Sequence, residues 1–285
     1  MQRRVFTRES TGAARTLAST TIHTAAVGAL ALLAGLTIAP NARAYRPFDG
    51  TDAEVAGVGE FELELGPVHW LSQGDSHYAI APATVLNLGI LPGWELVADF
   101  DRVVGIDDIP RGQARDRLVD LDVFTKVLLF PGSLQHAGRG PSIAIEAGPL
   151  LPGVNGESGF GASCNVIASE RWDSLALHVN SRLELDRSSL QGDWFESVIV
   201  EGNVRAQVRP VSEWFVEYEL ITGTMTISGL VGGIWRAQNG LDLDVGLREA
   251  RIGSDRATEV RIGLTWTVPA WREDRKASTK PGQAM

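Results

Sequence analysis

Glu259-Val260-Arg261-Ile262-Gly263-Leu264-Thr265-Trp266-Thr267-Val268 decides the fold. Every second residue is apolar, and the residues between are charged, small or hydroxylated. Successive side chains of a β-strand point to opposite faces, so this period of two puts one greasy and one polar face on a single strand. The same pattern recurs elsewhere. Leu175, Leu177, Val179, Leu183 and Leu185 alternate with His178, Asn180, Arg182, Glu184 and Asp186. Leu241, Leu243, Val245 and Leu247 alternate with Asp242, Asp244, Gly246 and Arg248. A further run places Val198, Val200, Gly202, Val204, Ala206 and Val208 on one face, broken only by Ile199. At 3.6 residues per turn these apolar positions would scatter around a helix. Several runs extend to the ~9–11 residues that a tilted membrane strand needs, beyond the ~5–6 usual in soluble sheets.

The connections alternate in kind. Leu91-Pro92-Gly93, 170–173, 209–213 and 237–240 are short, and 130–141 is a longer member of the same class. The segments 71–75, 105–116, 152–158, 187–193, 223–225 and 253–256 are richer in Gly, Asp and Ser. Short inner turns and longer outer loops are the habit of bacterial outer-membrane barrels. The expectation is an all-β, closed antiparallel transmembrane barrel of about twelve strands over 60–271, with both ends in the periplasm. Closure satisfies every backbone N–H and C=O in hydrocarbon and removes the free sheet edges.

The chain begins with Arg3, Arg4, Arg8 and Arg15, continues through the uncharged run Ala25 to Ala39, and reaches Ala42-Arg43-Ala44. This reads as a secretory signal peptide over 1–44, cut before Tyr45. The apolar run is shorter than the ~20 residues of a spanning helix. Residues 45–59 form a periplasmic segment or partial plug, and the charged, Pro- and Gly-containing 272–285 is expected to be a disordered tail. The net charge is −9, and the leader carries five arginines against one Glu, so the exported part is more acidic still. That balance argues against nucleic acid and anionic membrane surfaces as partners. The single cysteine, Cys164, can form no internal disulfide and reads as a small apolar wall residue. No metal-ligand spacing or phosphate-binding loop is present, so no cofactor, metal or catalytic residue is assigned.

With grease facing lipid, the polar faces line the lumen. The residues expected there are Glu95, Asp99, Asp120, Asp122, Lys126 and Glu146 in the first half of the barrel. In the second half they are Arg182, Glu184, Glu201, Arg205, Glu217, Glu219, Asp242, Asp244, Arg248, Glu259 and Arg261. Interleaved signs favour a lattice of ion pairs in a narrow bore over a charged, cation-leaning pore. Trp94, Trp172, Trp214, Trp235 and Trp271 fall near the inner turns and Trp194 near an outer loop, as interfacial aromatic girdles would.

The stretch Tyr45-Arg46-Pro47-Phe48-Asp49-Gly50-Thr51-Asp52-Ala53, followed by Gly59-Glu60-Phe61-Glu62-Leu63-Glu64-Leu65-Gly66, resembles the opening of a known family. That family is the outer-membrane transporters named for the meta-pathway of phenol degradation. Its members open with an Arg-Pro pair, a Thr-Asp-Asp stretch and a Gly-x-x-x-Leu-Glu first strand; here Thr51-Asp52-Ala53 departs from the pattern. The resemblance implies a barrel that passes small, often hydrophobic, molecules, and it carries no catalytic residues.

Two functions follow: a channel for small molecules in the bacterial outer membrane, or a structural or interaction barrel with a closed lumen. The partners expected are outer-membrane lipid, the barrel-assembly machinery and a small-molecule solute. An outer-membrane lipid hydrolase is disfavoured. His178 and Ser181 are three apart and point to opposite faces of one strand, and His69, His77 and His136 have no Ser at matched spacing.

Overall fold

The structure, a computed structural model, describes residues 46–135 and 138–271. The expected leader and C-terminal tail, with Tyr45 and His136, lie outside these residues. Twelve strands follow one another: β1 Glu60–Gln73, β2 Ser76–Leu91, β3 Trp94–Asp107, β4 Asp116–Phe130, β5 Ser142–Leu150, β6 Gly161–Arg171, β7 Ala176–Leu185, β8 Gly192–Glu201, β9 Val208–Glu219, β10 Met225–Gln238, β11 Leu241–Ile252 and β12 Asp255–Pro269. Each pairs antiparallel with its sequence neighbour, and β1 pairs with β12 to close the ring. The expected closed twelve-strand antiparallel barrel is the one observed.

The seam between β1 and β12 runs from Glu60 opposite Pro269 to Gln73 opposite Ala257, with one bulge between Leu65 and Val68. The end holding Glu60 and Pro269 is termed inner, the opposite end outer. Tight inner turns include Asn239-Gly240 between β10 and β11, where Gly240 has φ +81°. A two-residue hairpin needs such a left-handed position, and glycine takes it without a Cβ clash.

Burial inverts the usual pattern. Val245, Ile262, Leu183, Val231 and Leu247 face outward and are exposed, whereas Arg182, Arg209 and Arg261 are among the largest fully buried side chains. In water such an apolar exterior would drive association; in a bilayer it is the solvated face. Cys164 lies on this outer face.

One boundary differs from the sequence expectation. β8 ends at Glu201, residues 202–207 form the inner connection, and β9 begins at Val208. The alternation of 198–208 predicts one strand through to 208 with the turn at 209–213. The side chain of Asn203 accepts the N–H of Arg205, and the carbonyl of Asn203 accepts that of Ala206, which reverses the chain. The apolar alternation of Val204, Ala206 and Val208 runs through this turn by coincidence. Ile199, which broke the apparent face, points inward and is fully buried. Two expectations fall with the boundary. Arg205 is exposed in the connection, not in the lumen, and Trp214 sits mid-strand opposite Val198 and Gly229, not at an inner turn.

Candidate functional site

The bore is built from the inward faces of all twelve strands. Glu95, Asp99, Asp120, Asp122, Lys126, Glu146, Arg182, Glu184, Glu201, Asp242, Asp244, Arg248, Glu259 and Arg261 are all buried within it. Glu217 and Glu219 share the inward parity of Glu213 near the outer end of β9 and are half-buried. Trp94, Trp194, Trp235, Trp172 and Trp271 are exposed; Trp172 lies in the β6–β7 turn and Trp271 just beyond β12.

Ion pairs line the bore along its wall. Arg209 reaches Glu201 at 3.0 Å and Asp242 at 3.1 Å. Arg248 and Arg261 both reach Glu259 at 2.9 Å, and His69 lies 3.5 Å from the same carboxylate. Arg187 bonds Asp122 and lies 3.7 Å from Glu157. Arg209 and Glu213 are not legible as bore residues in the sequence, because the alternation places both in a turn. Sequence reasoning also misses Asp101, which continues the inward parity of Glu95 and Asp99 and is buried.

Through the middle of this lattice runs the segment from Arg46 to Gly59. Its backbone is held by wall side chains from end to end. The N–H groups of Asp49 and Gly50 donate to the Glu213 carboxylate at 2.7 and 2.8 Å. Thr51 exchanges two bonds with the Asn180 amide, donating at 3.0 Å and accepting at 2.9 Å. Ala53 N–H donates to Ser169 Oγ at 3.0 Å, and Ala56 N–H to Glu95 at 2.5 Å. A chain removed from water must find partners for its amides, and here the barrel wall supplies them.

Side chains of the segment complete the fit. Asp49 pairs with Arg261 at 2.9 Å and Arg248 at 3.6 Å, while Pro47 C=O accepts from Arg261 at 2.6 Å. Arg46 bonds His69 and lies 3.7 Å from Asp244. Asp52 faces Lys126 at 3.7 Å and Glu54 faces Arg171 at 3.4 Å. Phe48 packs into an apolar patch of Ile199, Val211, Leu230 and Ile234 on β8, β9 and β10.

Wall glycines make the room. A Cβ on Gly263 would stand 2.4 Å from Arg46 Nε, and one on Gly89 would stand 1.9 Å from the carbonyl oxygen of Gly57. The signal in the sequence was glycine at inward positions of otherwise polar faces, a sign of close backbone approach.

Between the segment and the wall lies a cavity of about 110 Å³, lined among others by Glu64, Asn87, Glu95, Val97 and Phe124. This is smaller than the ~150 Å³ pocket that holds a benzene ring. At the outer mouth a second cavity of about 740 Å³ opens between the loops. Between them, Leu71, Ile80, Val103 and Val119 form an apolar collar against which Ile109 of the β3–β4 loop packs. His178 faces the bore, bonding Ser169 Oγ at 2.9 Å and lying 3.5 Å from Glu201. Ser181 lies on the other face, bonded to Glu196.

Solved structures share this architecture. An outer membrane channel from Pseudomonas putida F1 is 12% identical, with 78% of this chain and 99% of that chain covered at a TM-score of 0.57. The NanC porin is 7% identical, with 72% and 98% covered at a TM-score of 0.51. At such identities the likeness is one of fold. No family model and no curated protein matches the chain.

Proposed function

We propose that this protein is an outer-membrane channel for small molecules whose bore is closed at rest by its own segment Arg46–Gly59. The observation that carries the reading is the hydrogen bonding of that segment: five of its backbone N–H groups end on wall side chains of β3, β6, β7 and β9. Side chains placed to receive one particular backbone make a seat for it. The cavity left beside the segment is too small for an organic solute, so passage requires the segment to leave. The outer-membrane setting is supported by the apolar exterior and by the shared fold with the Pseudomonas putida channel. The finer reading, passage of small hydrophobic molecules, rests on the resemblance to the meta-pathway transporter family. The residues that carry this resemblance, Arg46, Pro47, Asp49 and Thr51, are among those seated in the bore.

The test is planar-bilayer conductance of the purified, refolded full chain beside a variant lacking residues 46–57. The full chain is expected to show rare openings and the variant sustained ones. A second reading, a structural barrel with a permanently closed lumen, draws on the ion pairs that tie Arg209 to Asp242 and Arg248 to Glu259 along the inner wall and Arg261 to Asp49 of the segment. Silence from both proteins, each shown folded by heat-modifiable gel migration, would favour that reading over the channel.

A further inference from the structure

The outer cavity contains a buried cation with unused hydrogen-bond donors. Arg117 lies near the outer end of β4, opposite Val103 of β3, and is 7% exposed. Its Nε and Nη2 have no hydrogen-bond partner. The other buried arginine of the cavity is fully engaged: Arg187 bonds Asp122, donates to the Leu151 carbonyl at 2.8 Å and faces Glu157. A buried guanidinium with idle donors is costly, and an acceptor that pairs with it recovers a charge-assisted bond.

The surroundings of Arg117 restrict what that acceptor is. Its guanidinium carbon stands 6.0 Å from the centroid of the Tyr78 ring, and Tyr78 donates to Gln113 of the β3–β4 loop at 3.2 Å. Tyr78 and Val119 line the cavity and belong to the apolar collar beneath it. A ligand held at Arg117 therefore has an apolar surface next to its polar end. Acidic groups also face the cavity. Asp120 is buried and, with Glu157, attracts the Arg117 charge; Glu157 also lies 3.7 Å from Arg187, and Asp75, Asp108 and Asp255 are exposed at the rim beside the exposed Arg111. Those charges penalise a second negative charge on the ligand. Phosphate-like dianions fit poorly, and a single carboxylate fits best.

We propose that the outer cavity is a binding site for organic monocarboxylates with a short apolar body, anchored by Arg117 and seated against Tyr78 and Val119. A volume of about 740 Å³ accommodates such a molecule with water to spare. The inference deepens the channel reading by naming a solute class and rests on it for its biological role, while the binding step itself needs no open bore.

Equilibrium binding of hexanoate to the refolded full chain tests it, with 1-hexylamine, 1-hexanol and inorganic phosphate as comparison probes. Hexanoate is expected to bind saturably and more tightly than the other three. Arg117→Met is expected to weaken it by about tenfold or more, the scale of a lost charge-assisted bond, with Arg117→Lys between. Hexylamine or hexanol binding as tightly as hexanoate to the unaltered protein would overturn the site, whatever the variants do. Folded Arg117→Met and Arg117→Lys proteins that bind hexanoate unchanged would overturn it too. Flux into liposomes, measured in parallel, separates the two claims. Binding without flux through the segment-deleted barrel removes the channel and leaves the site. Flux of neutral solutes without hexanoate binding removes the site and leaves the channel.

Discussion

Phe48→Ala isolates the seating of the segment from the integrity of the barrel. Phe48 is 6% exposed, and two of the residues it meets, Ile199 and Ile234, have no exposed surface at all. All four patch residues project from strands whose ladders do not involve Phe48, so the ring persists without it. Truncating a buried Phe to Ala costs about 3–5 kcal/mol in a packed core. Some of this is recovered as the patch hydrates once the segment leaves, so the lower end applies. At about 1.4 kcal/mol per tenfold, 3 kcal/mol shifts the seated-to-released equilibrium about a hundredfold. Single-channel recording measures that shift directly as open probability. The expected record is a Phe48→Ala channel open about a hundred times more often than the unaltered one, at the same unit conductance. An unchanged open probability, in a bilayer where the segment-deleted variant conducts, would refute the claim that Phe48 anchors closure.

Other measurements probe neighbouring parts of the structure. Glu213→Gln keeps the shape but leaves one acceptor oxygen for two N–H donors, so one amide is stranded at a cost of about 1–3 kcal/mol. Open probability should rise about tenfold. Val245→Arg puts a charge on the lipid face in mid-strand, and unfolding titrations in lipid should show a loss of about 2–4 kcal/mol. Depth-dependent quenching by brominated lipids should place Trp214 nearer the bilayer centre than Trp94 or Trp172; equal depths would contradict its mid-strand position.

Fold and candidate site differed in how far the sequence revealed them, for a physical reason. Lipid on one side and polar bore on the other impose a period of two, which is local and visible in any ten residues, as in 259–268. The strand count followed from that period and the turns. The failure at 202–207 came where valine and alanine in a turn mimicked the period, and it carried Arg205, Arg209, Glu213 and Trp214 to wrong places. The seating of 46–59 has no period to read. Its bonds join residues more than a hundred positions apart, such as Asp49 to Glu213 and Thr51 to Asn180. The location and polarity of 45–59 suggested a partial plug, and the inward glycines, Gly89 and Gly263 among them, left a trace of its contacts.

The position of the segment in the chain has a mechanical consequence. It leads directly into β1, whose only sequence-distant neighbour is β12, and both Pro47 and Asp49 bond Arg261 on β12. Gly59, where it joins β1, accepts a bond from Ala270 just beyond β12. A seated segment therefore works as a clasp over the joint that closes the cylinder. If the segment leaves the bore as proposed, that joint loses these contacts, and the released form is expected to be the more easily unrolled one.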